Sequence, residues 1–195
     1  MAGRRRSIDR ERVLDLAEAI VSEKGPAALT IDAVARAAGI TKGGVQYCFG
    51  SKDQLLDKMY ERWMNDFEAR VSAIAGENPD PATAMRAYVA AGRGEFNAKS
   101  WSRSSVMLNL LMLQPGRLAQ YWKVNQMRLD ALDLSTEEGR SLALAFVASE
   151  GAFFLRGFKV LDFSEATWKA ITNEIVNILE RSSREIPDRK RASGK

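Results

Sequence analysis

The sequence predicts an all-α protein, and three observations support this prediction. The five prolines all stand at apparent element boundaries, where a proline pushes the residue before it out of the helical region. Between these boundaries, apolar residues recur at spacings of three and four, as they do on one face of an amphipathic helix. No alternating apolar and polar run of useful length predicts a β-strand.

The first 52 residues are predicted to form three short helices. The first runs from about Ile8 to Lys24 and ends at Gly25-Pro26. Thr30 is expected to cap the second helix, because its hydroxyl can accept from free N–H groups of the first turn. Thr41 is expected to cap a third helix of about seven residues by the same chemistry. The left-handed position that separates the last two helices is assigned to Gly39.

The rest of the chain is predicted to form six longer helices. Their expected ranges are 52–75, 82–98, 100–113, 115–132, 136–158 and 165–184. Ser51 and Ser164 are the expected caps of the first and last of them. Ser135 is expected to cap the fifth, because Glu138 follows three residues later as in a capping box.

Composition places the chain among ordinary globular proteins, with 46% apolar and 28% charged residues. The most apolar stretch, residues 141–155, falls short of the roughly 20 apolar residues that span a bilayer. The basic start is not followed by the apolar segment of a secretory signal. The single cysteine cannot form an internal disulfide, which agrees with a reducing compartment. We therefore expect a cytoplasmic protein with no membrane association.

The residue inventory excludes several classes of active site. The chain has no histidine and one cysteine, so Ser-His-Asp and Cys-His nucleophilic sites and the usual zinc sites are excluded. We expect no metal, no cofactor and no enzymatic activity. A site built from carboxylates alone stays open as an alternative.

Basic residues are concentrated at the two ends of the chain. The net charge is +3 for residues 1–52, −3 for residues 53–180 and +4 for residues 181–195. Basic ends on an acidic body suit a protein that contacts a polyanion with one end, and solvated termini show the same bias.

The third helix carries the strongest functional signal of the sequence. The second and third helices, with a glycine-containing turn between them, form the pattern of a helix-turn-helix unit. Spacing turns Val45, Cys48 and Phe49 toward a small core. The same spacing predicts that an outward face is formed by Gly43, Gly44, Gln46 and Tyr47.

Two adjacent glycines are unusual in a helix, because each costs about 1 kcal/mol relative to alanine. Glycine allows backbone to approach a ligand closely, and a major groove offers a floor of base edges. The alternative is that Gly43 and Gly44 form a flexible turn. If the helix binds DNA, Gln46 pairs with adenine, Lys42 reaches guanine or phosphate, and Tyr47 donates to phosphate.

Residues 30–55, "TIDAVARAAGITKGGVQYCFGSKDQL", resemble the N-terminal signature of the TetR family of bacterial transcriptional regulators. The resemblance covers about residues 8–58 and rests on eleven residues in register. These are Thr30, Ala35, Gly39, Thr41, Lys42, Gly43, Tyr47, Phe49, Ser51, Lys52 and Leu55.

The resemblance implies a role for each matched position of the reading unit. Thr30 contacts phosphate, and Tyr47 and Lys52 hold the DNA backbone. Bases are read from Thr41, Lys42, Gly43, Gly44 and Gln46. Cys48 departs from the family's usual His or Tyr, so a phosphate contact from that position is not expected. We expect a small inward-facing hydrophobe there rather than a redox sensor.

The N-terminal arm carries three consecutive arginines ahead of the first helix. Basic arms of this kind enter the minor groove beside a reading helix. Arg4, Arg5 and Arg6 are therefore candidate DNA contacts, and a solvated end is the alternative.

The resemblance implies that the body binds a small molecule and pairs two subunits. Aromatic and methionine side chains line adaptable apolar cavities, although each also suits an ordinary core. The candidate effector-binding residues are Trp63, Phe67, Trp101, Met107, Tyr121, Trp122, Glu150, Phe153 and Phe154.

Glu150 is singled out because its helix face is apolar, with phenylalanines at i−4, i+3 and i+4. A charge there is costly unless it has a partner. A cationic, lipophilic ligand is one candidate partner. Arg156 or an arginine of a neighbouring helix is the other.

The last two helices resemble the pair that forms a four-helix dimer interface in the family. Small residues in the first of them permit close packing, while the second has an apolar stripe. The small residues are Ala143, Ala145, Ala148, Gly151 and Ala152, and the stripe is Ile171, Ile175, Ile178 and Leu179. A homodimer is expected, because a two-fold operator needs two reading helices about one DNA turn apart.

Three domains are therefore predicted: a DNA-binding domain with a basic arm (1–52), a helical ligand-binding and dimerisation domain (53–184) and a disordered basic tail (185–195). The predicted function is a ligand-responsive repressor that binds a pseudo-palindromic double-stranded DNA operator as a homodimer, although the sign of regulation does not follow from the sequence. A lipophilic or cationic small molecule is expected to release it. The alternatives are a helical enzyme that uses Glu95, Asp130, Asp133 or Glu150, and a DNA-binding protein without an effector.

Overall fold

The structure, a computed structural model, describes residues 8–93, 98–112 and 114–184. Within these ranges the chain forms nine α-helices and one short 3-10 helix, with no β-strand. The α-helices are α1 Arg10–Lys24, α2 Ile31–Ala38, α3 Lys42–Phe49, α4 Lys52–Ala75, α5 Pro81–Arg93, α6 Ala98–Met112, α7 Pro115–Asp130, α8 Glu137–Gly157 and α9 Glu165–Arg184. The 3-10 helix, Pro26–Ala28, was not predicted. The all-α prediction is confirmed. Among the described residues, none of the helices has the length and apolar character that crossing a membrane requires.

Side-chain caps fix the starts of the short helices. The Thr30 hydroxyl accepts from the Ala33 N–H at 3.0 Å, and the Thr41 hydroxyl accepts from the Gly44 N–H at 3.0 Å. The predicted left-handed conformation of Gly39 is confirmed, with φ at 65°. Ser51 caps α4 as predicted, since its hydroxyl accepts from the Gln54 N–H.

The predicted cap of α8 is wrong by one residue. Thr136, not Ser135, caps the helix, and its hydroxyl accepts from the Gly139 N–H at 2.9 Å. Ser135 is engaged elsewhere, because its N–H and its hydroxyl both donate to Asp133 Oδ1. Glu138 forms an ion pair with Arg86 instead of closing a capping box.

The contacts divide the chain into two compact units. The first contains the described residues up to 66 together with those of α6, and the second contains the described residues 67–93 and 114–184. This grouping carries the first unit past residue 52 into α4 and includes α6, which packs against α1. The proposed boundary of the DNA-binding domain at residue 52 stays a prediction.

The first unit has its own core, in which Val13, Val34, Val45, Leu55 and Met59 are at most 2% exposed. A cluster of ion pairs joins three of its helices at Glu18. Arg62 of α4 donates to one Glu18 oxygen at 2.5 Å, and Arg103 of α6 donates to the other at 2.8 Å. This cluster ties α1, which precedes the reading unit, to α4 and α6.

The second unit has a separate core that draws residues from α4, α5, α8 and α9. Met85, Tyr88, Leu142, Phe146 and Ile175 are among its buried members. Five helices of the chain, α4, α5, α7, α8 and α9, contribute residues to this unit.

Candidate DNA-binding and effector-binding sites

Helix α3 has the two faces that its spacing predicts, with one exception. Val45 and Phe49 are buried, while Gln46 and Tyr47 are exposed, Tyr47 to 90%. Cys48 is half-buried, and its carbonyl accepts a hydrogen bond from Arg10 at 2.6 Å. Two anchored side chains thus hold a short helix whose remaining polar residues meet solvent.

The exception is Gly44, whose predicted outward position is wrong. A Cβ at Gly44 would lie 3.2 Å from the Ile8 Cδ1 and 3.3 Å from the Thr41 hydroxyl oxygen. Gly44 therefore gives room for Ile8, which precedes α1. A Cβ at Gly43 would meet only the Thr41 hydroxyl, at 3.9 Å, so Gly43 alone of the two opens to solvent.

The polar residues around α3 are positioned by local contacts. Lys42 Nζ lies 3.4 Å from Asp32 Oδ1 of α2, and both side chains are more than half exposed. Thr30 and Thr41 use their hydroxyls as caps, and Lys52 is exposed at the start of α4. These residues belong to the first unit, and their exposure is what a DNA-reading surface requires. Arg4, Arg5 and Arg6 lie outside the described residues.

Arg10 of α1 lies against the C-terminal end of α3, although the sequence did not single it out. Its guanidinium lies 5.2 Å from the centre of the Phe49 ring and donates to the Cys48 carbonyl at the end of α3. A basic residue on another helix carries no local sequence signal, because only the fold brings it to the reading helix.

The predicted effector-binding residues divide into two groups. Trp63 and Met107 are core residues of the first unit, and the Trp63 ring N–H donates to the Ser104 hydroxyl at 3.2 Å. Trp122 is 60% exposed on α7, so it does not line a buried pocket. Trp101 lies in α6, where the structure describes its backbone alone.

The other five residues are connected through Tyr88 in the second unit. Phe67 packs edge-on against Tyr88, with ring centres 5.0 Å apart, and Tyr121 packs edge-on against Phe154 at 6.1 Å. Phe153 in turn contacts Phe154 at 5.9 Å. The list of candidate effector residues therefore contains most of one aromatic cluster but not Tyr88, which lies at its centre.

Glu150 joins the two ends of this cluster. The Tyr88 hydroxyl donates to Glu150 Oε1 at 2.7 Å, and the Tyr121 hydroxyl donates to Oε2 at 2.5 Å. The Asn125 amide donates to Oε2 at 3.3 Å. Of the expected partners, Arg156 pairs with Glu165 instead. An arginine of a neighbouring helix is present as expected, because the charge of Arg128 on α7 acts on the carboxylate. The reason for predicting a cationic ligand is thereby removed.

Burial dominates the acidity of this cluster. Removal from water raises the pKa of Glu150 above its ordinary range, although the two tyrosine hydroxyls and the charge of Arg128 act in the opposite direction. Burial also raises the pKa of both tyrosines well above 10. The tyrosines therefore stay protonated and remain donors.

The raised pKa of Glu150 predicts a pH-dependent effect of Glu150→Gln. A raised folded-state pKa contributes stability that is present below the ordinary value of about 4.5 and lost as the pH rises through the folded-state pKa. Glutamine does not titrate, so the variant should gain stability relative to the parent as the pH rises across this window. Chemical denaturation at a series of pH values measures the difference. If the variant instead loses stability relative to the parent as the pH rises, the assignment is contradicted.

Among the described residues, Asp130 and Asp133 accept from local side chains and show no contact with another carboxylate proposed for catalysis. Asp133 is exposed and accepts from Ser135, whose hydroxyl lowers its pKa. Asp130 is exposed and accepts from Gln126. Glu95 lies outside the described residues. Glu150 is occupied by its three donors, so these positions give no support to acid–base chemistry.

A cavity of about 470 Å³ lies elsewhere in the second unit. It opens between the C-terminal end of α4, the start of α5 and α7. Its lining contains none of the nine predicted effector residues. The lining residues are Glu68, Val71, Ser72, Ala75, Gly76, Pro79, Pro81, Ala84, Met85, Val124, Met127, Arg128 and Ala131.

Arg128 connects this cavity with the Glu150 cluster. Its guanidinium forms an ion pair with Glu68, donates to Asn125 Oδ1 at 3.0 Å and lies 4.8 Å from the centre of the Tyr88 ring. Sequence reasoning missed Arg128, Glu68 and Asn125. Their polar spacing on α4 and α7 resembles that of any solvated helix face.

Two family models match this chain. The model described as "Bacterial regulatory proteins, tetR family" matches residues 13–59, and the model described as "Tetracyclin repressor-like, C-terminal domain" matches residues 82–180. The HTH-type transcriptional repressor KstR2 of Rhodococcus jostii (strain RHA1) is 29% identical over 80 residues. That segment covers 41% of this chain and 39% of the relative, so the match spans about two fifths of the relative's length.

Solved structures share the fold at low sequence identity. PfmR, a TetR family transcriptional regulator from Thermus thermophilus, superposes with a TM-score of 0.63 at 20% identity over 90% of this chain and 97% of its own. The fatty acid degradation regulator FadR from Bacillus halodurans superposes with a TM-score of 0.61 at 15% identity over 90% and 96%. With the two family models, which include the helix-turn-helix unit, these likenesses show that the chain belongs to the TetR family of bacterial transcriptional regulators.

Proposed function

We propose that the protein is a homodimeric repressor that binds a pseudo-palindromic operator and is released from it by a small lipophilic molecule. The face of α3 carries this proposal. It presents Gly43, Gln46 and Tyr47 to solvent, while Val45 and Phe49 fix the helix from behind. A short helix with exposed backbone and hydrogen-bonding side chains suits direct contact with base edges.

The proposed DNA contacts follow from chemistry and exposure. Gln46 reads adenine, Lys42 contacts guanine or phosphate, and Tyr47 donates to phosphate. Lys42 leaves its exposed ion pair with Asp32 at little cost, because such pairs contribute about 0–1 kcal/mol in water. Thr30, Thr41 and Lys52 add contacts at the helix starts.

The dimer is proposed to form through α8. Leu144, Val147 and Leu155 are 59%, 56% and 37% exposed, and they share one face of the helix with the exposed Gly151. A contiguous apolar stripe on a surface marks an interaction site. Ile175 and Leu179, which the sequence assigned to the interface, lie instead in the core of their own unit.

Release by an effector requires a difference in affinity between two arrangements of the dimer. The effector must bind the DNA-incompetent arrangement more tightly, because only that difference shifts the population. The second unit offers a cavity within the usual size range of ligand sites.

The proposal is tested by selecting fragments of the source genome with purified protein and measuring affinity for the recovered fragments at several salt concentrations. We expect a few fragments that share a two-fold motif, with affinity about a thousandfold or more above that for unrelated DNA. Gln46→Ala should weaken this preference, because discrimination is lost at one base pair in each half-site, while salt-dependent binding is kept. Equal affinity for all fragments would contradict the proposal.

A further inference from the structure

We propose that the 470 Å³ cavity between α4, α5 and α7 binds an apolar carboxylic acid, whose carboxylate replaces Glu68 as the partner of Arg128. Only the statement that this ligand is the effector rests on the proposed function. Binding itself is measured without DNA.

The walls of the cavity select an apolar body. Val71 and Met85 are 8% and 2% exposed and form part of the lining, and Met127 and two prolines continue it toward solvent. Aliphatic and thioether side chains adapt to flexible hydrocarbon chains. Within this lining, Glu68 and Arg128 are the two charged residues, so they decide which polar group the ligand carries.

Arg128 is the fixed member of this pair. Its side chain is 24% exposed, and contacts with Asn125 and the Tyr88 ring hold the guanidinium in place. The buried carboxylate of Glu150 interacts with the same positive charge. Removal of Arg128 from this position would therefore leave several groups without their partner.

Glu68 is the exchangeable member. Its side chain is 41% exposed, and Arg128 is its one ion-pair partner among the described residues. If a ligand carboxylate takes its place, Glu68 turns to water at little cost. Nη2 of Arg128 donates to Glu68 while Nη1 donates to Asn125 Oδ1. A ligand carboxylate in the place of Glu68 would accept the same charge-assisted hydrogen bond from Nη2.

A cationic ligand would require the opposite exchange. An ammonium group would have to displace the less exposed and better anchored Arg128 to reach Glu68. The unequal anchoring of the pair thus favours an acid over an amine. A neutral alcohol lacks the negative charge that strengthens a hydrogen bond from Arg128.

The test is isothermal titration of the whole protein with three probes that share one chain length: decanoate, decylammonium and decanol. We expect decanoate to bind once per subunit and at least about tenfold more tightly than the other two. Glu68→Gln should tighten decanoate binding several-fold because it removes the competing carboxylate. Arg128→Gln should weaken it at least about tenfold.

The opposite signs of the two substitutions keep the test decisive, even if Arg128→Gln proves poorly folded. Ala84→Trp, which fills the lining without changing a charge, is the control for location and should abolish binding. The proposal would be overturned if Glu68→Gln bound decanoate more weakly than the parent does. It would also be overturned if the parent bound decylammonium more tightly than decanoate, or if Ala84→Trp bound decanoate as well as the parent does.

The assignment as effector is measured separately. If decanoate binds as expected but leaves DNA affinity unchanged, the cavity's ligand class stands and its link to release from DNA fails. If DNA binding itself is absent, the proposed function fails while the titration still reports on the cavity.

Discussion

Val147→Arg is expected to convert the protein into a monomer and to lower its operator affinity at least about a hundredfold. Val147 is 56% exposed and lies between Leu144 and Leu155 on the apolar stripe of α8. In a two-fold interface the same patch faces itself, so one substitution introduces two like charges into the contact. Each reading helix would then bind its half-site without the effective concentration that a linked partner supplies.

Analytical ultracentrifugation and operator titration measure the two effects on one sample. Ile74→Arg is the matched control, because Ile74 is 54% exposed on α4 and is not part of the stripe. The control should remain dimeric and keep its operator affinity. If the Val147→Arg protein is still a dimer, the interface must lie on another surface.

Gly43→Leu is expected to lower operator affinity at least about tenfold while leaving the fold as stable as the parent or slightly more stable. A Cβ at Gly43 meets no atom closer than 3.9 Å, so the folded protein accommodates the side chain. Leucine also favours the helix by several tenths of a kcal/mol over glycine. On DNA, however, the added side chain would separate the α3 backbone from the groove floor.

The opposite signs of the two effects distinguish a reading role from a structural one. Thermal denaturation and operator titration of Gly43→Leu measure them. Gly116→Leu is the control, because Gly116 is exposed in α7 and a Cβ added there would meet no atom within 4 Å. It should gain similar stability and bind DNA normally. If the DNA affinity of Gly43→Leu is unchanged, Gly43 does not contact the groove and has only a local structural role in α3.

The reading helix was predictable because its determinants are local. Thr41 caps α3 and Gly39 ends α2 through contacts within a few residues, and the i, i+4 spacing of Val45 and Phe49 determines the buried face. Caps and periodicity follow from sequence neighbours alone. This also explains why most helix bounds were predicted to within a few residues.

The errors arose where distant residues determine the result. Gly44 is crowded by Ile8, which lies 36 positions earlier in the chain and has no sequence signature. Glu150 is satisfied by Tyr88, Tyr121 and Asn125, so its apolar helix neighbours predicted a missing partner that the fold supplies. The cavity at Arg128 is a gap between helices, and helix periodicity does not reveal gaps.

The proposed function depends above all on the exposed face of α3 reading a two-fold operator. Selection from one pool of random DNA duplexes, carried out in parallel with the parent and with Gln46→Ala, measures this reading base by base. For the parent we expect a palindromic motif, with half-site centres about one helical turn or a little more apart. For Gln46→Ala we expect the same motif with preference lost at one symmetric pair of positions. An identical motif for both proteins, or none for the parent, would contradict a reading role of α3.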